Sequence, residues 1–254
     1  MKDQVKEVVC GTPKVKVPVP WMGLCAGCHY GSILRVLGET IDELGIEGRA
    51  IGISGVGCTI GVYPMLTNID FTACAHGRAL AMGTGIKRVH PDAIVFTVQG
   101  DGDLGAIGLG CSMHAMIRGE KLTTIFLNNA NYGMTGGQMA PTTMLGMYTT
   151  TTSQGRDPSI AGYPLHIAEL AATIKGVAYS ARCTVHTPKN FRQAKKSLKT
   201  AFQKQIDGVG YSIVEFLCTC PSNWKLSPIE CLDFVENKMI PEYPVGEFKN
   251  VDSL

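Results

Sequence analysis

The chain has 254 residues, 23 Lys and Arg against 21 Asp and Glu, and 45% hydrophobic residues, enough for one large α/β domain with a buried core. Charged residues make up only 17% and the mean hydropathy is +0.11, which excludes a disordered chain and leaves apolar surface for contact with other subunits. A net charge of +2 gives no footprint for nucleic acid, because the one basic run, Lys195-Lys196 to Lys204, spreads around a helix as a solvated face.

In chain order, residues 1–20 read as an extended arm. Prolines and alternating lysines in Lys14-Val15-Lys16-Val17-Pro18-Val19-Pro20 deny it a helix. The apolar spacing then predicts a helix over Tyr30–Leu44, a strand over Ala50–Ser54 and a small-residue helix over His76–Val89. A buried strand over Ala93–Gln99, a helix over Leu104–Arg118 and a strand over Thr123–Leu127 follow. Beyond a polar loop come a helix over Ile167–Lys175, a strand over Ala178–His186, and a helix from Pro188 to Lys204 capped by Thr187. The strand Tyr211–Leu217 and the helix Pro228–Met239 close the pattern. Such alternation argues a doubly wound, mostly parallel α/β sheet. It is expected as a single domain over residues 21–240, followed by a C-terminal tail over 241–254.

Met1–Cys10 lacks the apolar core of a signal peptide. The longest charge-free stretch, Leu122 to Gly155, is full of Thr, Asn and Gly and would be costly in lipid. The expectation is a cytoplasmic protein with no membrane partner. In that compartment ten cysteines point to metal ligation or burial rather than to disulfides.

Gly100-Asp101-Gly102-Asp103 stands where a buried strand turns into a helix, at the strand's carboxyl end, where open α/β sheets bind ligands. Gly100 and Gly102 let backbone N–H groups approach a phosphate, and the helix N-terminus favours an anion. Asp101 beside them is a hard oxygen ligand suited to Mg2+. One βα unit later the neighbouring strand ends at Asn128-Asn129. The glycine-rich polar loop Asn131-Tyr132-Gly133-Met134-Thr135-Gly136-Gly137-Gln138, suited to gripping a diphosphate, comes next.

A second constellation is made of Cys25-Ala26-Gly27-Cys28, Cys58 and Cys220. A Cys-x-x-Cys turn brings two thiolates to one centre, and a four-sulfur site suits zinc or an iron–sulfur cluster equally. On spacing alone, Cys58 and Cys220 could equally be buried thiols. Cys10, Cys74, Cys111, Cys183 and Cys231 match no pattern, nor do His90, His114, His166 and His186; Trp224 reads as a packing residue.

Gly-Asp-Gly followed by Asn-Asn one βα unit later resembles the thiamine diphosphate motif. The ordered series Cys25-x-x-Cys28-His29-Tyr30-Gly31, Gly55-Val56-Gly57-Cys58, Ala75-His76-Gly77-Arg78, Gly100 to Asp103, Asn131 to Gln138 and Thr219-Cys220-Pro221-Ser222-Asn223-Trp224 resembles the β subunit of 2-oxoacid:ferredoxin oxidoreductases from Trp21 to Pro228. By that resemblance Asp101, the Asn129 side chain and the Asn131 carbonyl hold Mg2+. Cys58, His76, Gly100, Gly102, Asp103, Asn129, Tyr132, Gly133, Met134 and Thr135 line the thiamine diphosphate. Cys25, Cys28, Cys58 and Cys220 ligate a 4Fe–4S cluster; Cys220 is preferred over Cys218 because it matches the family's Cys-Pro position. His29 would hydrogen-bond around the cluster.

The implied activity is oxidative decarboxylation of a 2-oxo acid to acyl-CoA, with coenzyme A as acyl acceptor and ferredoxin as electron acceptor. No side chain of this chain is assigned a catalytic role. The activating glutamate is expected on an α subunit carrying the pyrimidine-binding domain, and small γ or ferredoxin-like δ subunits complete the complex. Two other readings are a non-redox thiamine-dependent decarboxylase or carboligase subunit with structural zinc, and a non-catalytic Cys-rich zinc scaffold. The loop Leu122–Gly155 offers no cation for a distal carboxylate, and Gly136 stands where some broad-specificity relatives carry lysine. This favours 2-oxoisovalerate over 2-oxoglutarate, with Arg156 the residue able to reverse it.

Overall fold

The computed structural model describes residues 23–61 and 68–254; the expected arm over residues 1–20 lies outside them. Helices run over Tyr30–Leu44 (α1), Ala79–Val89 (α2), Asp101–Gly105 (α3), Leu109–Ile117 (α4), Pro158–Ala161 (α5) and Ile167–Thr173 (α6). Pro188–Ile206 (α7), Pro221–Trp224 (α8), Pro228–Phe234 (α9) and Ile240–Glu242 (α10) complete them, with a π-helical turn over Val235–Met239 between the last two. The strands are Ala50–Ser54 (β1), Asp70–Ala73 (β2), Ile94–Gly100 (β3), Thr123–Asn128 (β4), Val177–Thr184 (β5), Tyr211–Leu217 (β6) and Gly246–Asn250 (β7).

All seven strands form one sheet in the order β2-β1-β3-β4-β6-β5-β7, parallel throughout except for the antiparallel pairing of β7 with β5. The four central strands are buried along nearly their whole length, so they read as continuous apolar runs rather than as alternation. On one face α1 and α7 cover the sheet through Ile33, Leu37, Ile41, Leu198 and Phe202. On the other, α2, α4 and α6 pack Leu80, Ala115, Met116, Ile167 and Ala171 against Val95, Phe126 and Ile213. Thr187 caps α7 as expected, its hydroxyl accepting from Asn190 N–H at 3.2 Å. Among the described residues no helix is long and apolar enough to cross a membrane.

Three segments differ from the sequence expectation. The helix expected over Leu104–Arg118 is broken at Ala106–Gly108, where a Cβ on Gly108 would stand 1.9 Å from the Asp103 carbonyl oxygen. The expected C-terminal tail supplies β7, an edge strand of the sheet. The short edge strand β2 was not foreseen; its first residue is exposed and the next two only partly buried. From β1 the chain turns to β2 at one edge and then crosses back to β3 on the other side. The gap between β1 and β3 is therefore a topological switch point, open at the carboxyl ends of the strands.

Candidate functional site

A cleft of about 270 Å3 opens at that switch point. Its walls come from the loop after β1 (Val56 to Thr59), the turn before α2 (His76), the β3–α3 junction (Gly100 to Asp103) and the segment after β4 (Asn129 to Thr135). Ten residues expected to meet the cofactor all line it: Cys58, His76, Gly100, Gly102, Asp103, Asn129, Tyr132, Gly133, Met134 and Thr135. Asp101 and Asn131 line it too. Gly102 has no room for a side chain, because a Cβ there would meet the Tyr132 ring at 2.6 Å. The first-turn N–H groups of α3 have no partner within the helix and mark the anion side of the cleft.

Asp101 is buried and receives N–H groups from Asn129 at 3.3 Å and Asn131 at 3.1 Å. Burial is the main cause that pushes its carboxyl up to about 8; the two backbone donors oppose it. The Asn129 side-chain oxygen faces Asp101 Oδ2 at 3.1 Å and the Asn131 carbonyl oxygen at 2.6 Å. Three oxygens converging without a proton between them repel one another unless a cation lies among them; with the amide turned over, its NH2 would instead donate to both. The donor set is all oxygen, as Mg2+ requires, and the Asn131 Oδ1 beside it is buried without a hydrogen-bond partner.

Asp103 does something else. Its carboxylate accepts from Gln99 Nε2 at 2.6 Å, Gly77 N–H at 2.8 Å, His76 Nδ1 at 2.8 Å and Val56 N–H at 3.0 Å. All four bonds point into the protein, so the side chain ties the β1 loop and the α2 turn to α3. His76 is held by that bond while almost half of its ring stays exposed toward the cleft. Thr135 Oγ1 donates to Gln138 Oε1 at 2.6 Å, closing the glycine-rich loop, and Met134 stands 54% exposed at the rim.

The cysteine quartet shares a wall with this cleft. A Cβ on Gly133 would stand 3.1 Å from Cys58 Sγ and 3.5 Å from Cys220 Sγ. Burial pushes the Cys28 thiol up to about 12 and Cys58 to about 11; in both, Cys220 and Cys25 push the same way. Four thiols that suppress one another's ionisation in a desolvated place are a donor set awaiting positive charge, since metal ligation removes their protons. Among the described residues no three His, Cys, Asp or Glu side chains converge as ligands of one metal ion. Cys218 turns away from the quartet: it is fully buried and its thiol donates back to the Phe216 carbonyl at 2.9 Å.

Two polar side chains without an individual role in the sequence reading hold this arrangement. Thr219 Oγ1 donates to the Gly27 carbonyl at 2.7 Å and accepts from His29 N–H at 3.0 Å, fastening the Cys25–Cys28 turn to the end of β6. Asn223 Nδ2 donates to the Gly133 carbonyl at 2.8 Å and to Cys220 Sγ at 3.3 Å. Trp224 packs on Phe234 and also donates Nε1–H to the Asn129 carbonyl. His29 is buried with Nδ1 lacking a hydrogen-bond partner, and burial brings its imidazole down to about 4. Arg156 is spent: its guanidinium donates to the carbonyls of Ala140, Pro141, Thr143, Ala161, Gly162 and Tyr163.

Comparison with known proteins agrees with this geometry. The family model "Thiamine pyrophosphate enzyme, C-terminal TPP binding domain" matches residues 55–216. The chain is 46% identical over 226 residues to the ketoisovalerate oxidoreductase subunit VorA of Methanothermobacter thermautotrophicus, covering 89% of this chain and 47% of that protein. It is 36% identical over 216 residues to the 2-oxoglutarate synthase subunit KorB of Archaeoglobus fulgidus, covering 85% of this chain and 75% of that protein. The chain thus spans about half the length of the VorA subunits it matches. A structure of 2-oxoglutarate:ferredoxin oxidoreductase from Magnetococcus marinus superposes with a TM-score of 0.80 at 24% identity. The match covers 98% of this chain and 88% of that one, and it bears on the fold.

Proposed function

The chain belongs to the thiamine diphosphate-binding β subunits of the 2-oxoacid:ferredoxin oxidoreductases, and from that premise we propose that it carries the cofactor and redox half of an acyl-CoA-forming 2-oxoacid oxidoreductase. The observation that carries the proposal is the shared wall at Gly133. The loop closing the diphosphate cleft touches the thiols of Cys58 and Cys220, and Cys58 itself lines the cleft. A structural zinc would gain nothing from that proximity, whereas an electron acceptor needs it.

In this reading Asp101, the Asn129 side chain and the Asn131 carbonyl hold Mg2+, and Gly100, Gly102 and Thr135 border the diphosphate. Cys25, Cys28, Cys58 and Cys220 hold a 4Fe–4S cluster. When bound, thiamine diphosphate supplies the electron sink for decarboxylating a 2-oxo acid. The chain's own residues orient and enclose it: Tyr132 closes over Gly102, Asp103 fixes His76 against the cleft, and Ile107 and Met134 present apolar surface at the rim. The carboxylates lining the cleft, Asp101 and Asp103, are both engaged, so the group that activates the aminopyrimidine comes from an α subunit. The exposed apolar side chains of Met82, Val89, Ile107 and Ile117 give such a partner a seat beside the cleft. Small γ or ferredoxin-like δ subunits, ferredoxin and coenzyme A complete the reaction.

No Lys or Arg lines the cleft, and the fully bonded Arg156 cannot meet a distal carboxylate. The substrate this favours has an apolar branched side chain, as in 2-oxoisovalerate. The test is anaerobic, coenzyme A-dependent viologen reduction by the co-purified complex. A higher kcat/KM with 2-oxoisovalerate than with 2-oxoglutarate is expected. The reverse ratio overturns the substrate assignment, and no reduction with any 2-oxo acid by a complex loaded with thiamine diphosphate overturns the redox one.

A further inference from the structure

Glu215 lies on β6, fully buried, one strand away from Asp101 and with no place in the cleft. Its Oε1 accepts from Asn128 Nδ2 at 2.7 Å, and Asn128 Oδ1 in turn accepts from Ala130 N–H at 3.1 Å. Ala130 has φ 57, the left-handed region that a non-glycine residue adopts only when its surroundings hold it there. The hold comes from both sides: Asn128 takes its N–H, and Thr143 Oγ1 donates to its carbonyl at 2.7 Å. That one left-handed residue lets Asn129 and Asn131 both return to Asp101.

An ionised carboxylate can only accept hydrogen bonds. Facing Glu215, the Asn128 amide has one orientation available, with its NH2 toward Glu215 and its oxygen toward Ala130. The charge of Glu215 is kept by Arg182, whose Nε stands 3.0 Å from Oε2. The same guanidinium forks onto Glu169 at 2.7 and 2.5 Å. We propose that Glu215 is a positioning residue for the divalent-cation turn, acting through Asn128 to fix the Asn128–Asn131 backbone that presents the oxygen ligands. This rests on the reading above that Asp101, Asn129 and Asn131 hold Mg2+. The competing role for Glu215 is purely structural, as the buried partner of Arg182.

The experiment is a double-mutant cycle on the purified complex, stripped of cofactor by chelation. Thiamine diphosphate binding is followed by calorimetry at increasing Mg2+. Glu215→Gln keeps the side-chain volume but can donate as well as accept, so it no longer dictates the amide's orientation; Asn128→Ala removes the amide itself. Each single variant should raise the Mg2+ midpoint by roughly tenfold or more, the usual effect of losing a residue that orients a metal ligand. The double variant should move it no further than Asn128→Ala alone. A midpoint for Glu215→Gln within about twofold of wild type, or effects that multiply in the double variant, overturns the inference. Should Glu215→Gln fail to assemble, Asn128→Ala and Asn128→Asp decide instead, the second placing an acceptor against an acceptor. An unmoved midpoint in both is then the overturning result. If the wild-type complex binds thiamine diphosphate without Mg2+, the cation reading itself falls and this inference with it.

Discussion

Gly133 sets how closely the two halves of the site approach. A methyl group there would press on Cys58 Sγ at 3.1 Å and Cys220 Sγ at 3.5 Å. Gly133→Ala is therefore expected to lower the iron and acid-labile sulfide content of the purified complex; full wild-type content would mean that the thiols can give way. The two neighbouring cysteines make a sharper pair. Cys220→Ala should lose most of the iron, whereas Cys218→Ala, whose thiol is turned to Phe216, should keep it and cost stability only through lost packing. At this scale the sequence disclosed the residues whose chemistry goes with a fixed spacing, such as Asp101 with Asn129 or Cys25 with Cys28. It did not disclose Thr219, Asn223 or Glu215, because their partners are 87 to 192 positions away in the chain. A hydroxyl or carboxyl in a buried strand carries no mark of which distant backbone it will meet.

At the scale of the element, apolar periodicity located α1, β1 and β6 to the residue, since each buries one face or both against the sheet. The break between α3 and α4 escaped it. That break depends on the Asp103 carbonyl pressing against Gly108, and the apolar pattern runs straight through it. Gly108→Ala should accordingly fail to fold or melt well below wild type in a thermal scan. The edge strands β2 and β7 escaped too: β7, Gly246-Glu247-Phe248-Lys249-Asn250, is the charged kind of strand that protects a sheet edge and has no apolar signature. On the opposite face, Phe202 of α7 meets the Phe96 ring edge-on at 5.7 Å in the middle of the core. Phe202→Ala is expected to cost about 3–5 kcal/mol in denaturant unfolding, and a loss below about 1 kcal/mol would mean that α1 and α7 repack over the gap.

For the molecule as a whole, the doubly wound order was legible because strand and helix alternate along the chain. The position of the cleft followed from that order alone. Its response to acid was not legible, because it depends on a buried network. Burial is the largest influence on Glu169 and pushes its carboxyl up, but the hydrogen bonds and charge of Arg182 outweigh it and hold the group below its ordinary 4.5. A carboxyl lowered in the folded state contributes stability that is complete above the unfolded value. That stability is lost as the pH falls through the folded one. The unfolding midpoint should therefore drop as the pH falls below about 4.5, and this acid limb should shrink in Glu169→Gln. An acid limb of equal size in the variant would assign it to other carboxylates.

Thr219 has a consequence for the order of assembly. Its hydroxyl joins the Cys25–Cys28 turn to the end of β6 with ordinary protein hydrogen bonds, and neither bond involves a sulfur atom. The scaffold can thus bring its first and last cysteines together before any iron arrives, and maturation becomes insertion into a chain already folded. Cys25, the exposed member of the quartet, is the door through which the inorganic part would enter.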